Sequence, residues 1–198
     1  MSTLLKSFLL AASVGLYAMS SMSALAAVVE VQGVKLEDNV DLKGTKLQLN
    51  GAGTRFKGPF KVYVAGLYVG KKASSLDEVA DQAGPKRVSI TMLRDIDAGE
   101  LGKLLTRGIE DNTPKSEFSK LVPGLIKMGQ IFGEQKKLVP GDNFTFDWVP
   151  GVGAVLTVKG KPQGEPFKEP EFFKAILSLW LGPVPADWKL KDAMLGVK

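Results

Sequence analysis

The stretch NGAGTRFKGPFKVYVAGLYVGKK, residues 50–72, decides the fold because it predicts two β-strands and the turn that joins them. Residues 60–69 are rich in β-branched and aromatic side chains, which favour a buried strand. Residues 47–56 predict its partner strand. The Gly58-Pro59 pair between them predicts a tight turn, since glycine tolerates unusual dihedral angles and proline fixes its own. We therefore expect a buried hairpin.

Hydrophobic patterns outside this hairpin predict further strands and helices. The other strands are expected at residues 28–36, 86–93, 143–149 and 154–159. The helices are expected at residues 74–82, from Asp97 onward, from Thr113-Pro114 onward with a kink or break at Pro123-Gly124, and from Pro170 to Gly182. This order favours an α+β fold with helices packed on one face of an antiparallel sheet.

The first 26 residues have the layout of a secretory signal peptide. Lys6 precedes an apolar run at residues 8–19, and the triplet Ala24-Leu25-Ala26 suits cleavage after Ala26. The alternative is an uncleaved anchor, but this apolar run falls short of the roughly 20 residues that a spanning helix needs. We expect an exported protein with one domain at residues 27–198.

The composition excludes several kinds of chemistry. The chain has neither cysteine nor histidine, which excludes disulfides, thiol catalysis, Ser-His and Cys-His nucleophiles and the commonest metal ligand. No glycine-rich segment leads into a helix with the spacing of a phosphate loop. We therefore expect neither a cofactor nor a metal, and any catalysis must use carboxylates, lysine, arginine, tyrosine or polarised water.

The net charge of +5 favours anionic partners in principle. The lysines are spread along the chain and form no dense run with interleaved aromatic residues, so we expect no nucleic-acid binding. A solvated surface is the favoured interpretation of this charge. Peripheral contact of the exported protein with an anionic membrane surface stays open as an alternative.

Five segments in this order resemble one family. They are GAGTR, KVYVAGLYVG, SITMLRDIDAGEL, the later Pro-Gly-x-Gly hairpin and FFKAILSLWLGPVP. Together they are similar to the bacterial, exported branch of the chalcone isomerase-like proteins over almost all of residues 27–198. This resemblance implies an open-faced β-sandwich, in which a curved antiparallel sheet carries helices and a cleft lies between them. It also implies a periplasmic location.

The resemblance assigns a role to Arg55. The corresponding arginine receives the phenolate or carbonyl of the substrate in the enzymes and holds the carboxylate in the fatty-acid binders. A guanidinium suits both tasks because it is permanently charged and can grip two oxygens at once. Tyr63 replaces a threonine of the enzymes and is the second ligand candidate. The enzymes' tyrosine and asparagine fall near Leu101 and Gly108, so a standard chalcone isomerase is not expected.

Two further residues are predicted to border the cleft. Lys61 is expected near its mouth. Ser178 lies beside Leu179, where the resemblance places a hydroxyl of the last helix. The apolar stripe of this helix is typical of a core, and it also suits the wall of an apolar cleft.

Structural interpretations stay open for these residues. Arg55 could form a structural ion pair or lie in water at the hairpin edge. The length of the hairpin loop decides whether Arg55 lies on the same face as Tyr63 or on the same face as Val62. Tyr63 could be a core tyrosine with a backbone partner. Glu100 and Asp147 are interpreted as a helix cap and an outward strand residue rather than as catalytic bases.

Three functions remain after these steps. The favoured one is a periplasmic protein that binds a small apolar, fatty-acid-like or polyphenolic ligand, whose carboxylate, phenolate or carbonyl head lies at Arg55. The second is an intramolecular lyase or isomerase in which Arg55 and Tyr63 are catalytic. The third is a non-catalytic envelope protein with a structural or partner-binding role.

Overall fold

The computed structural model describes residues 27–197, so the predicted signal peptide lies outside the described residues. Eleven strands are present in this part of the chain: β1 Val28–Val31, β2 Val34–Glu37, β3 Asn39–Leu42, β4 Thr45–Lys57, β5 Phe60–Val69, β6 Lys86–Met92, β7 Ile96–Asp97, β8 Lys137–Leu138, β9 Asn143–Val149, β10 Gly153–Val158 and β11 Lys161–Pro162. Seven of them form one antiparallel sheet in the order β11-β10-β9-β6-β5-β4-β3. The predicted hairpin, β4 with β5, is inside this sheet.

Five helices accompany the strands: α1 Leu76–Ala80, α2 Ala98–Asp111, α3 Lys115–Glu134, α4 Pro170–Leu181 and α5 Trp188–Leu195. Of the predicted kink or break at Pro123-Gly124, the break is wrong, because α3 continues through this proline. The Asp97 carboxylate caps α2 by accepting the Glu100 N–H at 2.8 Å, as predicted. The sequence patterns did not predict α5. None of the helices among residues 27–197 is long and apolar enough to cross a membrane.

Apolar side chains cover both faces of the large sheet, to different extents. On one face, residues of β5, β6, β9 and β10 pack against the helices in the main core. On the other face, the small β1–β2 hairpin covers a second cluster that includes Leu49, Val64 and Tyr68. The α+β class with helices on one face of a curved antiparallel sheet is therefore confirmed.

Two β-bulges interrupt the pairing of β4 with β5. The two-residue turn pairs Lys57 with Phe60, and an unbroken register would then place Arg55 opposite Val62. Val62 is instead an extra residue on β5, so Arg55 lies opposite Tyr63. Because directly opposed residues point to the same face, the bulge brings these two side chains together on the helix side. The second bulge is at Asn50 of β4.

Helix α5 packs on residues 50–56 of β4. A Cβ atom at Gly51 would lie 2.0 Å from the Ala193 carbonyl oxygen, and one at Gly53 would lie 2.8 Å from the Ala193 Cβ. Glycine is therefore needed where the helix backbone approaches the strand. The Asn50 amide donates to the Met194 carbonyl at 2.8 Å, which ties down the end of α5.

Candidate functional site

A cavity of about 630 Å³ lies between the sheet and α2 on the helix side. Its apolar wall comes mainly from α2 and the end of α4. Strands β4 and β5 contribute Arg55 and Tyr63, and the segment that joins α4 to α5 lines another part of the rim. The apolar lining residues are Val62, Ile96, Leu101, Leu104, Leu105, Leu179, Trp180, Val184, Pro185 and Ala186.

Arg55 reaches this cavity because of the strand that carries it. The side chains of Gly51, Gly53 and Arg55 would point to one face of β4, and α5 covers the two glycines. Arg55 is the next residue on this face, and it contacts Asp187, the N-cap residue of α5. The Arg55 Nη1 lies 3.8 Å from the Asp187 Oδ2. This distance is too long for a hydrogen bond, so the contact is electrostatic only. The Arg55 side chain retains 25% exposure.

Two backbone N–H groups hold the Asp187 carboxylate in place. One carboxylate oxygen accepts the Phe56 N–H at 3.0 Å, and the other accepts the Leu190 N–H at 3.2 Å and so caps α5. Arg55 thus forms a loose ion pair with Asp187, one of the two surroundings that the structural interpretation allowed. It lines the cavity as well, so the two interpretations describe one side chain.

Tyr63 is buried beneath Arg55 at the wall of the cavity. The Trp180 indole N–H donates to the Tyr63 hydroxyl oxygen at 2.9 Å, so its partner is a side chain and the expected backbone partner is wrong. Burial raises the pKa of Tyr63, while the Trp180 hydrogen bond and the Arg55 charge oppose the rise. The hydroxyl stays protonated at neutral pH and keeps its own proton to donate.

Lys61 and Ser178 do not line this cavity. The Val62 bulge separates Lys61 from Tyr63, and the Lys61 Nζ donates to Gln32 in the β1–β2 turn at 2.5 Å. The Ser178 hydroxyl donates to the Ala175 carbonyl at 2.6 Å and lines a different cavity of about 250 Å³ beside α3 and α4. The sequence prediction placed both side chains on the wrong side of their elements.

The positions that depart from the enzyme pattern do lie in the cavity. Leu101, Gly108 and Leu179 all line it. A Cβ atom at Gly108 would approach the Leu179 Cδ2 to 2.6 Å, so the two positions share one volume. The cavity therefore has apolar surface at positions where the resemblance implies polar groups in the enzymes.

Glu100 and Asp147 have different surroundings from those expected of bases. Glu100 follows the Asp97 cap, lies at the cavity edge and pairs with Lys103 at 2.7 Å. Asp147 is buried, and the prediction of an outward residue is wrong in this respect. Its two oxygens accept the Arg87 Nε and Nη2 hydrogens at 2.7 Å each, on the sheet face opposite the cavity.

Sequence reasoning missed several residues of the site, above all Asp187, Arg94 and Arg107, and it did not predict the hydrogen bond from Trp180 to Tyr63. The rarity of arginine could have indicated two of them, because three of the four arginines in the chain line the cavity. Asp187 has the sequence signal of a helix cap, an aspartate just before an apolar-periodic segment. Its contact with Arg55 has no sequence signal, since it joins residues 132 positions apart.

Comparisons with known proteins agree with this architecture. A family model described as "Chalcone isomerase-like" matches residues 27–196, nearly all of the described chain. The chain belongs to the chalcone isomerase-like family. No curated protein matches the sequence.

A solved structure shares the fold of this family member. The crystal structure of a fatty-acid-binding protein from Arabidopsis thaliana has a TM-score of 0.63 and 17% sequence identity to the chain. The similarity covers 82% of this chain and 92% of the plant protein. At this identity the likeness shows the chalcone isomerase-like fold alone.

Proposed function

We propose that this chalcone isomerase-like protein binds a small apolar ligand whose oxygen-bearing head lies at Arg55. The observation that carries the proposal is an arginine with open donors at the wall of an apolar cavity. A guanidinium has five N–H donors. The Asp187 contact at 3.8 Å is too long to use any of these donors in a hydrogen bond, so Asp187 leaves them available to a ligand oxygen.

The size and lining of the cavity support an apolar ligand. Its volume of about 630 Å³ is within the range of small-molecule sites, which are mostly apolar with a few placed polar groups. Leu101, Leu105 and Leu179 are buried side chains of the wall, and Leu104 is exposed at the mouth. The fatty-acid-binding name of the plant protein with this fold gives further support for the ligand class.

A second function, intramolecular lyase chemistry, is favoured by the pairing of Arg55 with Tyr63. The two face each other across adjacent strands and both line the cavity. A guanidinium and a neutral phenol can stabilise a developing oxyanion without a base that titrates near pH 7. Leu101 and Gly108 supply no further polar group, so we propose the binding function first.

Ligand retention tests the first proposal. The protein is purified from cells that make it, and its organic extract is analysed by mass spectrometry beside that of Arg55→Met. We expect an apolar compound with an oxygen-bearing head in the wild type and a loss of at least about tenfold in the variant, the order of one charge-assisted interaction. Lys61→Met is the matched control, because it removes one positive charge from the same hairpin outside the cavity. Equal retention in all three proteins would contradict the proposal.

Chalcone turnover, followed by absorbance, separates the two functions. The binding function predicts no turnover above the uncatalysed rate. Turnover that is lost in both Arg55→Met and Tyr63→Phe and kept in Lys61→Met would establish the lyase function instead.

We also propose a periplasmic location for the protein. The signal-like layout of residues 1–26 supports it. The intact mass of the protein from a periplasmic extract should correspond to a chain that begins at Ala27. A full-length mass in the membrane fraction would contradict this.

A further inference from the structure

The charge next to Arg55 bears on the kind of head group that the cavity binds. The Asp187 carboxylate is held by two backbone N–H groups, from Phe56 at 3.0 Å and from Leu190 at 3.2 Å. Both its oxygens are engaged, so it cannot turn away without uncapping α5. A fixed negative charge therefore lies 3.8 Å from the guanidinium whether or not a ligand is present.

The rest of the lining adds no strong excess of positive charge. Two of its carboxylates, Asp95 and Glu100, also pair with the lysines Lys137 and Lys103. The charged lining residues are four basic and four acidic side chains: Arg55, Lys57, Arg94, Arg107, Asp95, Asp97, Glu100 and Asp111. The cavity is therefore lined by donors without being a strongly cationic pocket.

Tyr63 gives the same end of the cavity a neutral donor. Its oxygen accepts the Trp180 indole N–H, which leaves its own proton for another acceptor. Burial raises the pKa of the hydroxyl, and the Asp187 charge acts in the same direction. The polar end thus combines a charge-balanced arginine with a protonated phenol.

These groups discriminate between a neutral and an anionic head. A carbonyl oxygen can accept hydrogen bonds from Arg55 and Tyr63 and brings no charge. A carboxylate would lose part of its hydration and would lie against a guanidinium that already faces Asp187. The carboxylate and Asp187 would then be like charges close together, which is unfavourable where both are partly removed from water.

We propose that Asp187 is a specificity-determining residue that makes the cavity prefer a neutral oxygen acceptor, such as the carbonyl of an ester, amide or ketone, over a free carboxylate. This inference rests on the proposed binding function. It narrows the ligand class from any oxygen-bearing head to an uncharged one.

The test compares a long-chain fatty acid with its methyl ester, which differ only in the head. Each displaces a neutral fluorescent lipid from the purified protein at neutral pH, at concentrations below self-association. We expect the ester to displace the probe at least about tenfold more effectively than the acid, since one like-charge contact is of this order. In Asp187→Asn, which keeps an oxygen to cap α5, we expect the acid to gain and this ratio to fall about tenfold.

Matched variants make the result specific to this contact. Asp192→Asn makes the same charge change on the exposed part of α5 and should leave the ratio unchanged. Asp187→Ser is a second variant that keeps a capping side chain. Because the ratio is compared between proteins, the different solubilities of the two ligands cancel. An acid preferred by the wild type, or an equal ratio in wild type and both Asp187 variants, would overturn the inference.

The outcomes also separate this inference from the proposed function. If the wild type binds both ligands and prefers the acid, the binding function holds and only the selectivity is wrong. If neither ligand nor the probe binds, the proposed function itself is wrong. The wild-type preference is measured without any variant, so the inference can fail even if an Asp187 variant does not fold.

Discussion

Each face of the large sheet carries an arginine that pairs with an aspartate, and the two pairs differ in geometry. Arg87 and Asp147 join through two hydrogen bonds of 2.7 Å on the face away from the helices. Arg55 and Asp187 stay 3.8 Å apart on the cavity face. The arginine side chains are equally exposed, 23% and 25%, so solvent access does not explain the difference.

The comparison shows what a structural ion pair looks like in this fold. Arg87 and Asp147 are direct neighbours across β6 and β9, and both donors and both acceptors are satisfied. Asp187 instead directs its oxygens at backbone N–H groups and leaves the guanidinium of Arg55 with unused donors. The closed pair stabilises the sheet, whereas the open pair leaves donors for a ligand.

The largest effect is expected from Arg87→Met, which breaks the closed pair. The Asp147 carboxylate would be left buried without its partner, and we expect a loss of about 3 kcal/mol in the free energy of unfolding. Denaturant unfolding measures this loss. Ligand retention per folded molecule should not change, because the pair lies on the other face; a variant that lost ligand but not stability would reverse the comparison.

A smaller loss is expected from Gly51→Ala, which moves the open pair without touching it. The new methyl group would clash with the Ala193 carbonyl, so α5 must shift along with the Asp187 cap. Overpacking of this kind costs about 2 kcal/mol. The free energy of unfolding and the amount of retained ligand should both decline. Gly58→Ala is no control for this effect, since the φ of 58° at Gly58 would strain an alanine. The control is Ala52→Gly on the other face of β4, which also changes one methyl group and introduces no clash.

Much of the fold could be predicted from the sequence, and the failures have physical causes. Alternation and turn residues predicted β4, β5, β6, β9 and β10, because strand periodicity is a local property. The need for glycine at positions 51 and 53 had no sequence signal, since the atoms that require it belong to a helix about 140 positions away. Long-range contacts of this kind have no signal in a single sequence.

The site residues divide in the same way. The resemblance predicted that Arg55 and Tyr63 share the cavity, and both line it. Lys61 was misplaced because the Val62 bulge reverses the face that period-two counting predicts. Ser178 was misplaced because a shift of one residue along α4 turns a side chain by about 100°. The pair partners Asp147 and Asp187 had no pairing signal at all.

Tyr63 and Tyr68, the two tyrosines among residues 27–197, lie on opposite faces of the sheet and give a test that is confined to alkaline pH in protein that begins at Ala27. Burial raises the pKa of Tyr68 to about 12 and also raises that of Tyr63 above the ordinary value of 10.0. A raised pKa means that the folded state disfavours the phenolate, so the contribution of these tyrosines to stability is constant below pH 10 and declines as the pH rises through the folded values. Phenolate absorbance should appear later in the folded protein than in the denatured one. In Tyr63→Phe, the remaining folded transition belongs to Tyr68, and a transition near pH 10 would contradict its burial.

The smallest effect on stability is expected from Arg55→Met, and it decides how the open pair is understood. A partly exposed ion pair at 3.8 Å contributes little, so we expect the free energy of unfolding to change by less than about 1 kcal/mol. Asp187 would keep both backbone donors, which preserves the cap of α5 and limits the cost of its lost partner. Denaturant unfolding beside Arg87→Met measures the contrast directly. If the two substitutions cost the same, Arg55 is a structural residue like Arg87, and the cavity must bind its ligand by its apolar wall alone. If only Arg87→Met is costly while Arg55→Met loses the ligand, the 3.8 Å separation marks a binding site, because the fold gains almost nothing from that arginine.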